Sequence, residues 1–388
     1  MRDIDELKNW LISEGRILAD ETEIVTRYCE GLQQLGVPLS RVRVGQNYSN
    51  PLISAWGILW SPEGSGKYTV PIEIRVSSAW HGSPFQYVVN SRECLRKRLT
   101  ELNLEIEHEV FSELLADGAT DFLAMPLEYG DGSVQGSSFC TGHINGFSDR
   151  DIEYLKDTRH ALSAALEPTA MRESQASLLR TYLGDGAAQE IGNGLIKRGE
   201  HKSVSAAILF ADLRGFTAKS EIWPEPKLLE IMGDYFEMVV GPIRENGGDV
   251  LKFMGDGVLA IFEATQGPGP TCEAAIAAAT QSLQRLEAYN KTARHNHQEE
   301  IAFVIGIDFG TVTFGNIGSP DRLDFTVVGS AVNVASRVQG LCKNLNETLL
   351  VTTDVQKYIQ TATQSLGSHA LKGLGEEVEV FRISAPGG

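Results

Sequence analysis

Apolar positions between residues 4 and 35 recur at helical spacing, with Leu7, Leu11, Ile24, Tyr28 and Leu32 in phase, and the Gly36-Val37-Pro38 that follows supplies a helix stop. Residues 53–60 and 68–76 are rich in β-branched and aromatic side chains, which predicts a hairpin turning at Gly64 to Gly66. Residues 86–116 carry a helical pattern. Residues 121–127 and 137–143 predict strands on either side of an Asp131-Gly132 turn. Ser148, with Asp151 three positions on and Ile152, Leu155 and Leu162 beyond, marks a helix start with an acidic first turn. Residues 1–168 are therefore expected to form a mixed α/β domain closed by Pro168, followed by a polar, glycine-broken connector at 169–202.

The pattern changes from Val204. Residues 204–210, Val-Ser-Ala-Ala-Ile-Leu-Phe, form an almost unbroken apolar run, as a central strand covered on both faces requires. Leu228, Met232, Tyr235, Val239 and Ile243 repeat with the helix period over 225–245. Residues 250–254 and 258–262 flank Gly255-Asp256-Gly257, a predicted hairpin with a carboxylate at its tip. A second helix is expected over 271–294, strands over 301–309 and 312–317, a short helix over 331–341 and a last strand near 377–383. The order β-α-β-β-α-β predicts a ferredoxin-like α+β domain at 203–388, an antiparallel sheet with helices on one face.

A chain of 388 residues is long enough for two cores. Its 42% hydrophobic and 22% charged residues exclude a disordered or collagen-like chain. The net charge of −17 argues against nucleic acid or an anionic membrane surface as partner, because both are bound through many phosphate contacts. Five cysteines, odd in number and without a CxxC pair, suggest neither a disulfide framework nor a zinc site and predict a reducing compartment. The charged N-terminus lacks the apolar segment of a signal peptide, and no apolar run approaches the length that spans a bilayer, so a cytoplasmic location is expected.

Two carboxylates stand where a metal site would want them. Asp212 closes the apolar strand in Phe-Ala-Asp-Leu-Arg-Gly-Phe-Thr, and Asp256 sits on the Gly-flanked hairpin turn. If the strands are neighbours, both carboxylates leave the sheet at one edge, and Mg²⁺ takes one or two carboxylates together with substrate phosphates. Either residue alone is an ordinary turn aspartate. Lys252 lies four residues before Asp256, an even offset expected to put both on one strand face, although a lone lysine is usually a solvated charge. Asn333 and Arg337, four apart on a short predicted helix, stack on one side, where they form either a surface polar pair or a clamp for a ribose and a phosphate.

The segments FADLRGFT, LKFMGDGVLAIF and FTVVGSAVNVASR, in this order, resemble the signature segments of class III adenylate and guanylate cyclases over residues 204–383. The resemblance implies that Asp212 and Asp256, with the carbonyl of Leu213, bind two Mg²⁺ or Mn²⁺ ions. It places Lys252 and Thr326 at the purine-selecting positions and makes Asn333 the ribose-orienting and Arg337 the transition-state residue. Lys372 lies near a lysine that meets the terminal phosphates. Thr326 stands where Asp is commoner, which resembles a subgroup that makes cyclic AMP and includes bicarbonate-responsive members. Guanylate cyclases usually carry Glu at the Lys252 position, so ATP is the expected substrate, with GTP and an inactive nucleotide-binding regulator as alternatives. The family works as head-to-tail dimers that share each site, so a homodimer is expected.

Gly247-Gly248-Asp249 superficially matches a diguanylate cyclase signature, but Val250-Leu251 follows it where Glu-Phe would be needed. His295 and His297 lack a third ligand for a metal. The helix, hairpin and strand pattern of residues 1–168 resembles GAF-type sensor domains, with a ligand-free dimerisation module as the alternative.

Overall fold

The computed structural model describes residues 1–47 and 53–383. The chain divides into two compact units, Met1–Leu178 and Leu179–Gly388. The first is built from α1 (Ile4–Ile12), α2 (Glu21–Gln34), β1 (Arg41–Asn47), β2 (Ile53–Ser61), β3 (Gly64–Pro71), α3 (Pro84–Ser91), β4 (Leu95–Arg98), α4 (Val110–Ala116), β5 (Asp121–Glu128), β6 (Val134–Thr141) and α5 (Asp149–Leu183), the last running five residues past the unit's end. Its six strands form an antiparallel sheet in the order β3-β2-β1-β6-β5-β4. One face, with Val42, Val44, Ile58 and Phe139, packs on α1, α2 and α5 through Leu11, Tyr28, Leu155 and Leu162. The other carries a smaller core in which Val88, Phe111 and Leu114 cover Phe122 and Cys140.

Several expectations for this unit are corrected. The hairpin turns at Pro62-Glu63, Gly64 and Gly66 lie inside β3, and Ile72–Val76 is a 3₁₀ turn rather than strand. Residues 86–116 are not one helix: β4 interrupts them, because Arg96 and Arg98 reach the fully buried Asp121 and dock the segment on the sheet edge. Pro168 does not end a helix. It lies inside α5, where Ala165, Leu166 and Ala170 on both sides are packed in the core and offset the one hydrogen bond that proline removes.

The second unit holds α6 (Asp185–Gly192), β7 (His201–Leu213), α7 (Phe216–Ser220), α8 (Glu225–Glu245), β8 (Asp249–Met254), β9 (Gly257–Glu263), α9 (Pro268–His295), β10 (Phe303–Gly318), β11 (Leu323–Val328), α10 (Ser330–Leu345), β12 (Leu349–Thr352), α11 (Thr353–Gln356), β13 (Thr363–Ala370) and β14 (Glu377–Ile383). The sheet runs β13-β14-β12-β10-β7-β9-β8, with β11 paired to the far half of β10. It is antiparallel except where β10 meets β12. The two strands expected at 301–309 and 312–317 are one, β10, continuous opposite β7 from Phe303↔Leu213 to Gly315↔His201.

Alternation along β7 distributes the two faces. Ala207, Leu209 and Ala211 pack on α8 and α9 through Tyr235, Val239, Ala275 and Ala279. Ala206, Ile208 and Phe210 face Ala331 and Ala335 of α10, Phe325 of β11 and Ala187 of α6. Helices therefore cover both faces, not one. The expected polar connector is likewise structured: the Asp249 carboxylate accepts the backbone N–H groups of Asp185 (3.1 Å) and Gly186 (2.8 Å), capping the start of α6.

Candidate active site

Asp212 lies at the end of β7 and Asp256 on the turn between β8 and β9, and β9 is hydrogen-bonded to both strands. Gly255, at φ 66°, makes the two-residue turn possible. The two carboxylates meet closely enough to hydrogen-bond, and partial burial together with the charge of Asp212 pushes the Asp256 carboxyl up to about 6. Two carboxylates this close do not both ionise as readily as isolated ones. Asp212 is also held from α10, by Gln339 Nε2 at 3.2 Å and Lys343 Nζ at 3.1 Å. The Tyr235 hydroxyl, buried without a hydrogen-bond partner among the described residues, is pushed well above its ordinary pKa by burial and then by both aspartates.

α10 reaches Asp212 because it lies very close to β10. A Cβ on Gly306 would come within 2.3 Å of the Gln339 nitrogen, so the helix axis can settle there only against glycine. Val304, two residues earlier, is paired with Asp212. Gln339 and Lys343 went unnoticed in the sequence; their spacing of four on a helix puts them on one side, but nothing local says which strand they face.

Lys252 and Asp256 do not share a strand face. β8 ends at Met254, a bulge separates Val250 from Lys252, and Asp256 belongs to the turn. The Lys252 ammonium instead pairs with the Asp324 carboxylate on β11. Asp324 and Thr326 are two apart on that strand and lie on one side of it, opposite to Phe325 and Val327 in the core, and Thr326 is buried. The lysine and threonine expected to read a base are thus brought to the same strand region, with Asp324 as an additional residue that the sequence reading missed.

Asn333 and Arg337 lie one turn apart on the exposed side of α10. Lys372 is exposed on the loop after β13. Among the described residues, no hydrogen bond or ion pair joins Asn333, Arg337, Lys252 or Lys372 to Asp212 or Asp256. Leu213 ends β7 with its side chain buried. The donor set at the turn is two carboxylates with one lysine as counter-charge, and no group of three or more His, Cys, Asp or Glu is gathered among the described residues. Hard oxygen donors of this kind suit Mg²⁺ or Mn²⁺ completed by substrate oxygens and water, not zinc.

Residues 198–385 match the family described as the adenylate and guanylate cyclase catalytic domain. An adenylate cyclase of Anabaena cylindrica is 32% identical over 209 residues, covering 51% of this chain and 40% of that protein. Adenylate cyclase 1 of Rhizobium meliloti is 28% identical over 177 residues, 45% of this chain and 27% of the relative. The chain thus spans less than half the length of these two relatives. Among solved structures, the adenylyl cyclase CyaB from P. aeruginosa is 25% identical with a TM-score of 0.44, covering 48% of this chain and 96% of that one. Among the described residues no helix is long and apolar enough to cross a membrane, and all five cysteines are free.

Proposed function

We propose that residues 203–388 form the catalytic domain of an adenylate cyclase that converts ATP to 3′,5′-cyclic AMP and pyrophosphate at a homodimer interface, under the control of a sensor domain at residues 1–168. The observation that carries the reading is the Asp212/Asp256 pair, two carboxylates of neighbouring elements, with the Asp256 carboxyl raised by partial burial and the charge of Asp212, and a single lysine against Asp212. Two Mg²⁺ or Mn²⁺ ions held by Asp212, Asp256 and the Leu213 carbonyl would make the 3′-hydroxyl more acidic and offset the charge of the leaving pyrophosphate.

The chain's own residues do the rest. Lys252 donates to a ring nitrogen of adenine and Thr326 accepts from its amino group. Asn333 orients the ribose, Arg337 meets the charge that develops at the α-phosphorus, and Lys372 meets the terminal phosphates. Asn333 and Arg337 are exposed and unconnected to the aspartates of their own chain, as a site completed across a dimer requires. Phe253, Met254, Ile317, Leu323 and Val328, large apolar side chains exposed around Lys252 and Asp324, supply surface for such a contact.

The test is product formation from ATP and from GTP, with Mg²⁺ and with Mn²⁺, with and without bicarbonate at fixed pH, using wild type beside Asp256→Asn. Cyclic AMP from the wild type, reduced at least about a hundredfold in the variant, is expected. Cyclic GTP as the main product would replace the substrate; equal output from the variant would overturn the site.

A further inference from the structure

The N-terminal unit contains a cavity of about 230 Å³, on the sheet face opposite the α1/α2/α5 core. Its floor is unusual in charge. β1 is an interior strand whose Val42 and Val44 enter the core, so Arg41 and Arg43 alternate to the other face and both line the cavity. Among the described residues neither has a carboxylate within ion-pair distance, and the same holds for Arg75, which donates to the Ser54 carbonyl at 3.0 Å. Both β1 arginines are half-buried. A desolvated guanidinium without an anion costs free energy on an interior strand. The two acids at the cavity, Glu109 and Glu113, are exposed and make no pair with these arginines.

The walls are aromatic and moulded to the backbone. Phe85 presses on Gly136, where a Cβ would fall 2.2 Å from the ring, and Tyr68 presses on Gly57, where it would fall 2.6 Å from the hydroxyl. The Arg43 guanidinium lies 4.3 Å from the Tyr68 ring centre and 5.3 Å from that of Phe85. Trp80 adds a third ring to the lining. A cavity of this size with cations at the floor and flat rings at the side has the complement of a small anion carried on a planar body.

We propose that this cavity is a binding site for a planar organic anion, its carboxylate or phosphate met by Arg41 and Arg43 and its ring held among Tyr68, Phe85 and Trp80. The proposal concerns the N-terminal unit and stands whether or not the C-terminal unit turns over ATP.

The test is ligand-observed NMR titration of the full chain with benzoate and phenyl phosphate, against benzamide as the neutral shape and inorganic phosphate as the bare charge. Saturable binding of at least one aromatic anion, roughly tenfold or more tighter than benzamide and inorganic phosphate, is expected. Arg41→Gln and Arg43→Gln should each weaken it by about tenfold or more, with circular dichroism and melting temperature reporting the fold. Arg43→Lys, which keeps the charge, and Trp80→Leu, at a partly exposed position, serve if the glutamine variants unfold: the first should retain most of the binding and the second lose much of it. Failure of both anions to bind up to about 10 mM, equal binding of benzamide, or binding indifferent to these substitutions would overturn the proposal.

Discussion

In the proposed function Lys252 reads the purine, and its ammonium is held by Asp324. The pair is partly exposed, so its worth to stability is small, under about 1 kcal/mol. Under the proposed function its worth to binding is larger, because a base must meet a lysine already held at the strand that carries Thr326. Asp324→Asn is therefore expected to lower kcat/KM for ATP roughly tenfold, mostly through KM, and to leave the melting temperature nearly unchanged. An unaltered KM would show that Asp324 does not position Lys252. At this scale Asp212, Asp256, Asn333 and Arg337 could be singled out as candidates because each belongs to a local pattern, a strand end, a Gly-flanked turn or a helix side. Asp324, Gln339 and Lys343 were not, since each acts on a partner from 72 to 131 positions away in the chain.

Elements with strong periodicity came out as their patterns predict. The helix expected over 225–245 is α8 at those residues, and the hairpin around Gly255-Asp256 is β8 and β9. The failures share a cause. β4 and the passage of α5 through Pro168 are held by contacts with distant residues that override local preference. Gly306 shows the same dependence in reverse, since an unremarkable strand glycine decides how near α10 can come. Gly306→Ala places a methyl against the backbone of Gln339 and Ala335 and should destabilise the second unit by about 1–3 kcal/mol in urea unfolding. Under the proposed function it should also lower cyclic AMP formation, because Gln339 and Lys343 would leave Asp212. An unchanged unfolding midpoint would mean that α10 has room to move.

For the whole molecule, the assembly is the testable quantity. If each site takes its aspartates from one protomer and Asn333 and Arg337 from the other, two dead variants can repair each other. Mixing Asp256→Asn with Arg337→Ala should restore about a quarter of wild-type activity, since random pairing makes half the dimers mixed and each mixed dimer keeps one intact site. No recovery on mixing, with dimers shown by light scattering, would place the whole site within one chain. The sequence by itself determined the α+β character of the C-terminal half and the residue types offered for its candidate site, because periodicity and turn chemistry are local properties. Only the tertiary structure decided that helices cover both sheet faces, that Asp212 and Asp256 meet while Lys252 turns to Asp324, and that two arginines on β1 line a cavity. Each of these depends on strand order and register, which join residues far apart in the chain and leave no mark in any one segment.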